Sequence, residues 1–372
     1  MGMGPNLMRI LHCIPTMQNG GTQRQVGYLA GEQVGRGYDV YLALLQDGPN
    51  LDRVSAKGVR VCRLPRRSNY DPRLLPQMIR LIRRVKPDIV QTWLTLMDVV
   101  GGLASRLTGV PWVLSERSSS LAYPPTLKHR LRGGIGAVAQ AVVSNSLGGD
   151  AYWEGRLRKT SRRYVIQNAL PLDEIAQVLP VSSETIGLEP GSKMLLHVGR
   201  LSPEKNLGSL IPGIRHAMRR VTFCTFLCGD GTHQDWTKEL IQAQGLSGQV
   251  RLTGYREDVW RWMKRADAFI SVSTFEGSPN AVLEAVACGC PLVLSDIPAH
   301  RAMVGERGAI FVNPNSPESI AEGIVRALSE SAETKRRAEI ALANIRYPSI
   351  AEAARQYEEV YQSVLIHRRS ES

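Results

Sequence analysis

Short apolar runs alternate with helix-period segments along the whole chain, and no other feature restricts the fold as much. In the first half, Met8–Ile14, Asp39–Leu45, Val59–Leu64, Asp88–Trp93, Trp112–Ser115, Ala141–Ser144 and Tyr164–Ile166 read as strands. Lys193–Val198, Thr222–Leu227, Val250–Leu252, Ala268–Val272 and Leu292–Ser295 repeat the pattern in the second half. Helices are predicted between them, for example over Gln23–Arg36, Pro76–Val85, Asn280–Cys288 and Pro317–Glu330. Strands alternating with helices belong to α/β domains with mostly parallel sheets. A chain of 372 residues is long for one core and suits two. The Pro-, Ser- and Glu-rich stretch 170–190 lacks a firm period and reads as a linker between domains 1–169 and 191–349. In the last helix Tyr357 and Tyr361 are four residues apart, the spacing of a packing stripe.

Charge divides the chain as well. Residues 1–170 carry 24 Lys+Arg against 10 Asp+Glu, whereas residues 171–372 carry 22 against 24. A basic first half favours anionic partners: nucleic acid, phosphorylated ligands or an anionic membrane face. No zinc-finger or RNP pattern accompanies the charge, so nucleic acid is not an expected partner. The six cysteines contain no CxxC and are read as reduced residues of a cytoplasmic protein. No apolar run reaches membrane-spanning length, and the N-terminus does not read as a signal peptide. The seven histidines form no HExxH or other tight cluster, so no metal ligand set and no cofactor is expected. His197, inside a strand, is read as a satisfied core histidine.

Three loops carry candidate chemistry. Gly20-Gly21 follows the first strand and precedes a helix, a place suited to a diphosphate or simply to a tight turn. Gly199–Asn206 follows the first strand of the second half and brings Arg200 and Lys205 to its carboxyl end. There, two cations would clamp the phosphates of a departing nucleoside diphosphate, or else face water. Ser273–Asn280 follows another strand; Gly277 would admit a ligand close to backbone amides, and Ser278 or Asn280 would cap the next helix. Glu276 and Glu284, eight residues apart, would line one cleft from loop and helix, or serve as a loop carboxylate and a first-turn charge.

With Gly20-Gly21, Val198–Asn206, Cys228-Gly229-Asp230-Gly231 and Phe275–Asn280 followed by Glu284, Ala285 and Gly289-Cys290-Pro291, the chain resembles a known family over about residues 8–365. It is the retaining nucleotide-sugar glycosyltransferases of sequence family four, and within it the bacterial surface-glycan and lipid-linked oligosaccharide enzymes. The resemblance implies the GT-B fold: two facing Rossmann-like domains with a cleft between them, and a C-terminal helix, 350–372, packed back onto the first. It implies that Gly20, Gly21, Arg200 and Lys205 hold the donor diphosphate. Glu276 would sit near the transferred sugar, Gly277, Ser278, Pro279 and Asn280 would touch sugar and phosphate, and Glu284 would bind the ribose. Gly229, Gly254 and Tyr255 would complete the nucleoside site. Retention is explained in this family by front-face attack, the diphosphate oxygen taking the acceptor proton, so no separate general base is required.

Two departures stand out. Arg117 occupies the place of a family histidine near the donor sugar, and Ala302 that of a frequent glutamate. Arg117 cannot accept a proton but can bind sugar hydroxyls or an acceptor phosphate. The expected activity is transfer of a hexose or N-acetylhexosamine from a UDP-sugar to a lipid-linked anionic acceptor. Alternatives are a GDP-mannose donor, a soluble small-molecule acceptor, or an inactive sugar-nucleotide-binding protein. The enzyme would lie peripherally on the inner face of the plasma membrane. Two stretches would make that contact. One has Leu121, Tyr123, Leu127 and Leu131 beside Lys128, Arg130 and Arg132; the other has Leu81, Ile82 and Val85 beside Arg80, Arg83 and Arg84. The oligomeric state is not legible.

Overall fold

A computed structural model describes residues 8–371 apart from 119–122, 124, 159–160 and 346. It contains two compact units. One comprises the residues up to Leu170 together with those from Tyr347 onward, and the other Pro171–Arg346.

The first unit is built on a 7-stranded sheet, all parallel, in the order β3-β2-β1-β4-β5-β6-β7. The strands are β1 (Arg9–Cys13), β2 (Asp39–Leu44), β3 (Arg60–Arg63), β4 (Ile89–Trp93), β5 (Trp112–Glu116), β6 (Ala141–Ser144) and β7 (Arg162–Val165). Strand alternation sorts side chains to two buried faces. Ile10 and Ile14 join the cluster beneath the helices Gly21–Gly35 and Ile350–Glu371, while Leu11 and Cys13 join the opposite one. Tyr357 and Tyr361 are buried in the first cluster, which fixes the C-terminal helix to this unit.

The second unit has a 6-stranded parallel sheet in the order β10-β9-β8-β11-β12-β13. Its strands are β8 (Lys193–Val198), β9 (Phe223–Cys228), β10 (Val250–Gly254), β11 (Ala268–Ser271), β12 (Leu292–Ser295) and β13 (Ile310–Val312). The short strand β13 is not anticipated by the sequence pattern. Val181, Ile186 and Leu188 are buried in this unit's core. Both sheets reverse their winding once, between β1 and β4 and between β8 and β11. Ligands of open α/β sheets bind beyond the strand ends at such switch points. These are two Rossmann-like units, the architecture of the GT-B fold. Among the described residues, no helix is long and apolar enough to cross a membrane.

Candidate active site

In the second unit, the loops after β8 and β11 meet. A 3-10 turn at Pro203–Lys205, with Asn206 left-handed at φ 55°, carries Lys205 back toward the sheet. Asn206 Nδ2 donates to the carbonyls of Val272 (3.3 Å) and Pro314 (2.7 Å), and Thr274 N donates to Glu204 O at 2.9 Å, so the two loops are stitched together. Lys205 Nζ then donates to Glu276 Oε1 at 2.5 Å, and Ser273 Oγ donates to the same oxygen at 2.8 Å. Burial pushes the Glu276 carboxyl up, but Lys205 and then Ser273 outweigh it and hold it below the usual glutamate range.

Two histidines back this pair. His197 Nδ1 lies 3.0 Å from Ile270 O, and burial drives its pKa down to about 4. Its Nε2 is buried without a hydrogen-bond partner among the described residues, so the ring is satisfied on one side only. His300, also held neutral by burial, lies with Nδ1 against Ser295. Ser295 Oγ in turn donates to Ser273 O at 2.7 Å. Ser273 heads the loop that the sequence singles out, but nothing in the sequence assigns it or His300 a partner; their one signal is a place beyond β11 and β12.

The other candidates of this unit surround the same strand ends. Arg200 is exposed and has no ion pair or hydrogen bond through its side chain among the described residues. Gly229 (φ 144°) packs directly on Gly199, and Gly254 (φ 68°) closes β10. Tyr255 N donates to Asp230 Oδ1 at 3.1 Å. Gly277, Ser278 and Asn280 are half-buried, and Pro279 is buried. The capping position of the helix Asn280–Ala287 is Pro279, so neither Ser278 nor Asn280 caps it as expected. Glu284 is not the solvent-facing first-turn charge: it is buried and accepts a hydrogen bond from Trp260 Nε1 at 3.0 Å. Trp260 was not anticipated.

In the first unit, Gly20 stands before the helix starting at Gly21, with extended backbone (φ 171°) and no side-chain cap. A β-carbon there would meet only the Gln23 side chain, so its backbone does not demand glycine. Arg117 is half-buried beyond β5. Its guanidinium lies 5.3 Å from the Trp93 ring centroid and donates a hydrogen bond to Asn168 Oδ1. Burial lowers its pKa, yet Nε has no partner among the described residues. Arg117 lines a cavity of about 530 Å³ that belongs wholly to this unit.

Beneath that cavity lies a buried ionic network. Arg132 donates to Asp98 at 2.7 Å and to Glu116 at 2.9 Å, all three being 1% exposed or less. Tyr123 Oη (2.5 Å) and the backbone amides of Arg117 and Ser118 donate to Glu116 Oε1, and Trp153 Nε1 donates to Oε2 at 2.9 Å. Burial raises the Asp98 carboxyl to about 6 despite the opposing pull of Arg132.

This corrects the expected membrane patch in two respects. Arg132 is a core residue neutralised by two carboxylates, not a surface cation. Leu81, Ile82 and Val85 are buried in the core, so Arg80, Arg83 and Arg84 face out without these three apolar side chains beside them. Leu121 lies outside the described residues. What remains exposed is Leu127 (84%) and Leu131 (50%) beside Lys128 and Arg130.

Comparison with known proteins agrees with both halves. Residues 20–169 match the glycosyl transferase 4-like domain, and residues 181–343 match the glycosyl transferases group 1 domain. An α-1,3-galactosyltransferase of Escherichia coli is 24% identical over 79% of this chain and 81% of its own length. Its name gives UDP-galactose as donor and GlcNAc-diphosphoundecaprenol as acceptor. The lipopolysaccharide core biosynthesis glycosyltransferase LpsE of Rhizobium meliloti is 25% identical over 74% of this chain and 75% of its own. Anabaena HepE, solved with UDP and glucose, superposes with a TM-score of 0.84 at 21% identity, covering 96% of this chain and 100% of the other. The chain is a glycosyltransferase of the GT-B fold, related to bacterial glycan transferases.

Proposed function

We propose that the protein transfers a hexose or N-acetylhexosamine from a UDP-sugar, with retention, to a lipid-linked glycan or polysaccharide precursor. The observation that carries the reading is the half-buried Lys205–Glu276 pair beyond the ends of β8 and β11. The lysine charge is held at a strand end beside the exposed Arg200, where a diphosphate leaving group develops charge. Glu276, kept ionised, accepts sugar hydroxyls and offsets positive charge on the anomeric carbon. Glu284, fixed by Trp260, binds the ribose hydroxyls. Gly20, Gly21 and the amides of residues 277–280 contribute donors to phosphate and sugar. Front-face attack uses the departing diphosphate oxygen as base, and neither Arg117 nor the neutral His197 has to abstract a proton. UDP as the nucleotide is supported by the names of the Escherichia coli and Anabaena relatives, and the diphosphate-linked acceptor by the former.

Thermal shifts with UDP, GDP, ADP and dTDP test the donor, and UDP is expected to give the largest. A large shift with GDP alone would replace the UDP-sugar by GDP-mannose. A radioactive donor panel with total cell lipid tests the acceptor. Donor binding without turnover there would favour an inactive binding protein, and label appearing only in water-soluble products a small-molecule acceptor.

A further inference from the structure

We infer that the cavity of the first unit is a phosphate-recognition pocket for the acceptor, with Arg66 and Lys128 as its specificity determinants. This rests on the glycosyl-transfer reading above and narrows it to phosphate or diphosphate esters.

The cavity opens beyond the ends of β1, β4 and β5, and its lining includes Arg66, Arg117, Lys128 and Arg132 but no carboxylate. Arg132 is neutralised from below by Asp98 and Glu116. Arg117 is compensated in part by the same Glu116, whereas Arg66 and Lys128 face no carboxylate among the described residues. Arg66 and Lys128 have no side-chain hydrogen bond or ion pair among the described residues, and Arg117 keeps one buried N–H unpaired. Uncompensated like charges around one cavity repel each other unless an anion joins them.

The backbone around the cavity adds to the same field. Thr95, in the lining, opens the helix Thr95–Thr108, whose N-terminus favours negative charge. Leu94, also in the lining, is held at φ 68°, ψ 152°, a conformation costly for a branched residue. It turns the chain from β4 into the Thr95 helix at the cavity wall. The volume, about 530 Å³, accommodates a sugar phosphate rather than a bare ion.

The test is titration of the full-length protein, saturated with UDP, with inorganic pyrophosphate. Saturation blocks a nucleotide site as the place of binding. Pyrophosphate is expected to bind, and Arg66→Ser/Lys128→Ser to weaken it at least about tenfold, the scale of one lost charge-assisted hydrogen bond. No binding to the UDP-saturated wild type, or equal affinity in the double variant, overturns the pocket. Thermal melting of the variant checks its folding. If it does not fold, the exposed Lys128→Gln replaces it and is expected to lose several-fold. None of this needs turnover, so it separates failure of the pocket from failure of the transfer reading. With an active donor, one sugar is offered as polyprenyl diphosphate in micelles, as methyl diphosphate in water, and unphosphorylated. Preference for both phosphorylated forms supports the pocket, and the better of the two identifies the source. Equal kcat/KM for the unphosphorylated sugar overturns it.

Discussion

Gly229 lies so close to Gly199 that a β-carbon on Gly229 would stand 1.9 Å from the Gly199 carbonyl oxygen. The obstacle is backbone, so no rotamer relieves it, and φ at Gly229 is 144°. Meanwhile Gly199 N donates to Cys228 O at 3.0 Å and Gly229 N to Gly254 O at 2.8 Å. Three glycines thus let β8, β9 and β10 end in close register under the loop that bears Arg200 and Lys205. Gly229→Ala is expected to cost about 2 kcal/mol or more of second-unit stability. Urea unfolding that leaves the variant within about 0.5 kcal/mol of wild type would show that the close approach is not required.

The Lys205–Glu276 pair predicts coupled effects on rate and pH. Lys205→Ala and Arg200→Ala should each lose roughly 10²-fold in kcat, the scale of one lost donor to a developing anion. Glu276→Ala should be nearly inactive yet folded. In the Lys205 variant the burial that pushes the Glu276 carboxyl up loses its largest counterweight. The acid limb of its residual activity should therefore move to higher pH. An unmoved acid limb would separate Glu276 from the reaction.

The buried network of the first unit is expected to fail when broken one-sidedly. Arg132→Met leaves Asp98 and Glu116 buried without a counter-charge, a loss of about 3–5 kcal/mol. Circular-dichroism melting of this variant beside Arg130→Met, an exposed control, reads the difference. Equal melting of the two would mean that water or protonation replaces the arginine cheaply.

Much of this was readable beforehand, and the exceptions have a common cause. Strand–helix alternation survives in sequence because both faces of the central strands are covered and read as apolar runs, while the edge strands β3 and β7 show only as short alternating segments. β13 has three residues, too few to show a period. The loops at Gly199–Asn206 and Ser273–Asn280 announce themselves by Gly, Pro and charge after a strand. Whether a given cation is paired does not show. Arg132 looks like Lys128 and Arg130 along the helix, but its partners sit 34 and 16 residues away on other elements. Likewise Leu81, Ile82 and Val85 form an apolar stripe whose covering partner, the core or a membrane, only the tertiary structure decides.

Acid should weaken the second unit more than the first. His197 and His12 are both pushed down to about 4 by burial, so the folded chain resists protons that the unfolded chain takes up below about 6.5. Each contributes stability that is full above about pH 6.5 and falls as pH drops toward 4, a loss on the order of 2 kcal/mol by pH 5. Asp98, raised to about 6, works in the opposite direction: its contribution is present at low pH and lost as pH rises through 6. It offsets on the order of 1 kcal/mol at pH 5, and only in the first unit. Hydrogen exchange by mass spectrometry at pH 7 and pH 5, corrected for intrinsic rates, should show β8 and β11 peptides losing more protection than β1 and β4 peptides. The reverse order would contradict these buried neutral histidines.

Membrane association, if it runs through the first unit, now rests on a narrower patch. Thr126 caps the helix Leu127–Gly136 through its side chain, which accepts from His129 N, so the exposed first turn is well formed. Leu127 and Leu131 are four residues apart and share a face, with Arg130 between them. Arg132 holds the same helix down from inside. Two exposed leucines and flanking cations suit shallow insertion at an anionic surface, where each basic residue is worth about 1 kcal/mol. Lys128 also lines the cavity and is left intact, so the test uses Leu127→Ser, Arg130→Ser and Leu131→Ser together. Flotation with vesicles of anionic and of neutral lipid, at low and high salt, is the measurement. Wild type should float with anionic vesicles at low salt and be released by high salt, and the triple variant should remain at the bottom. No flotation of wild type on anionic vesicles would sink the membrane claim. Flotation insensitive to both salt and substitution would move the contact to another surface of the protein.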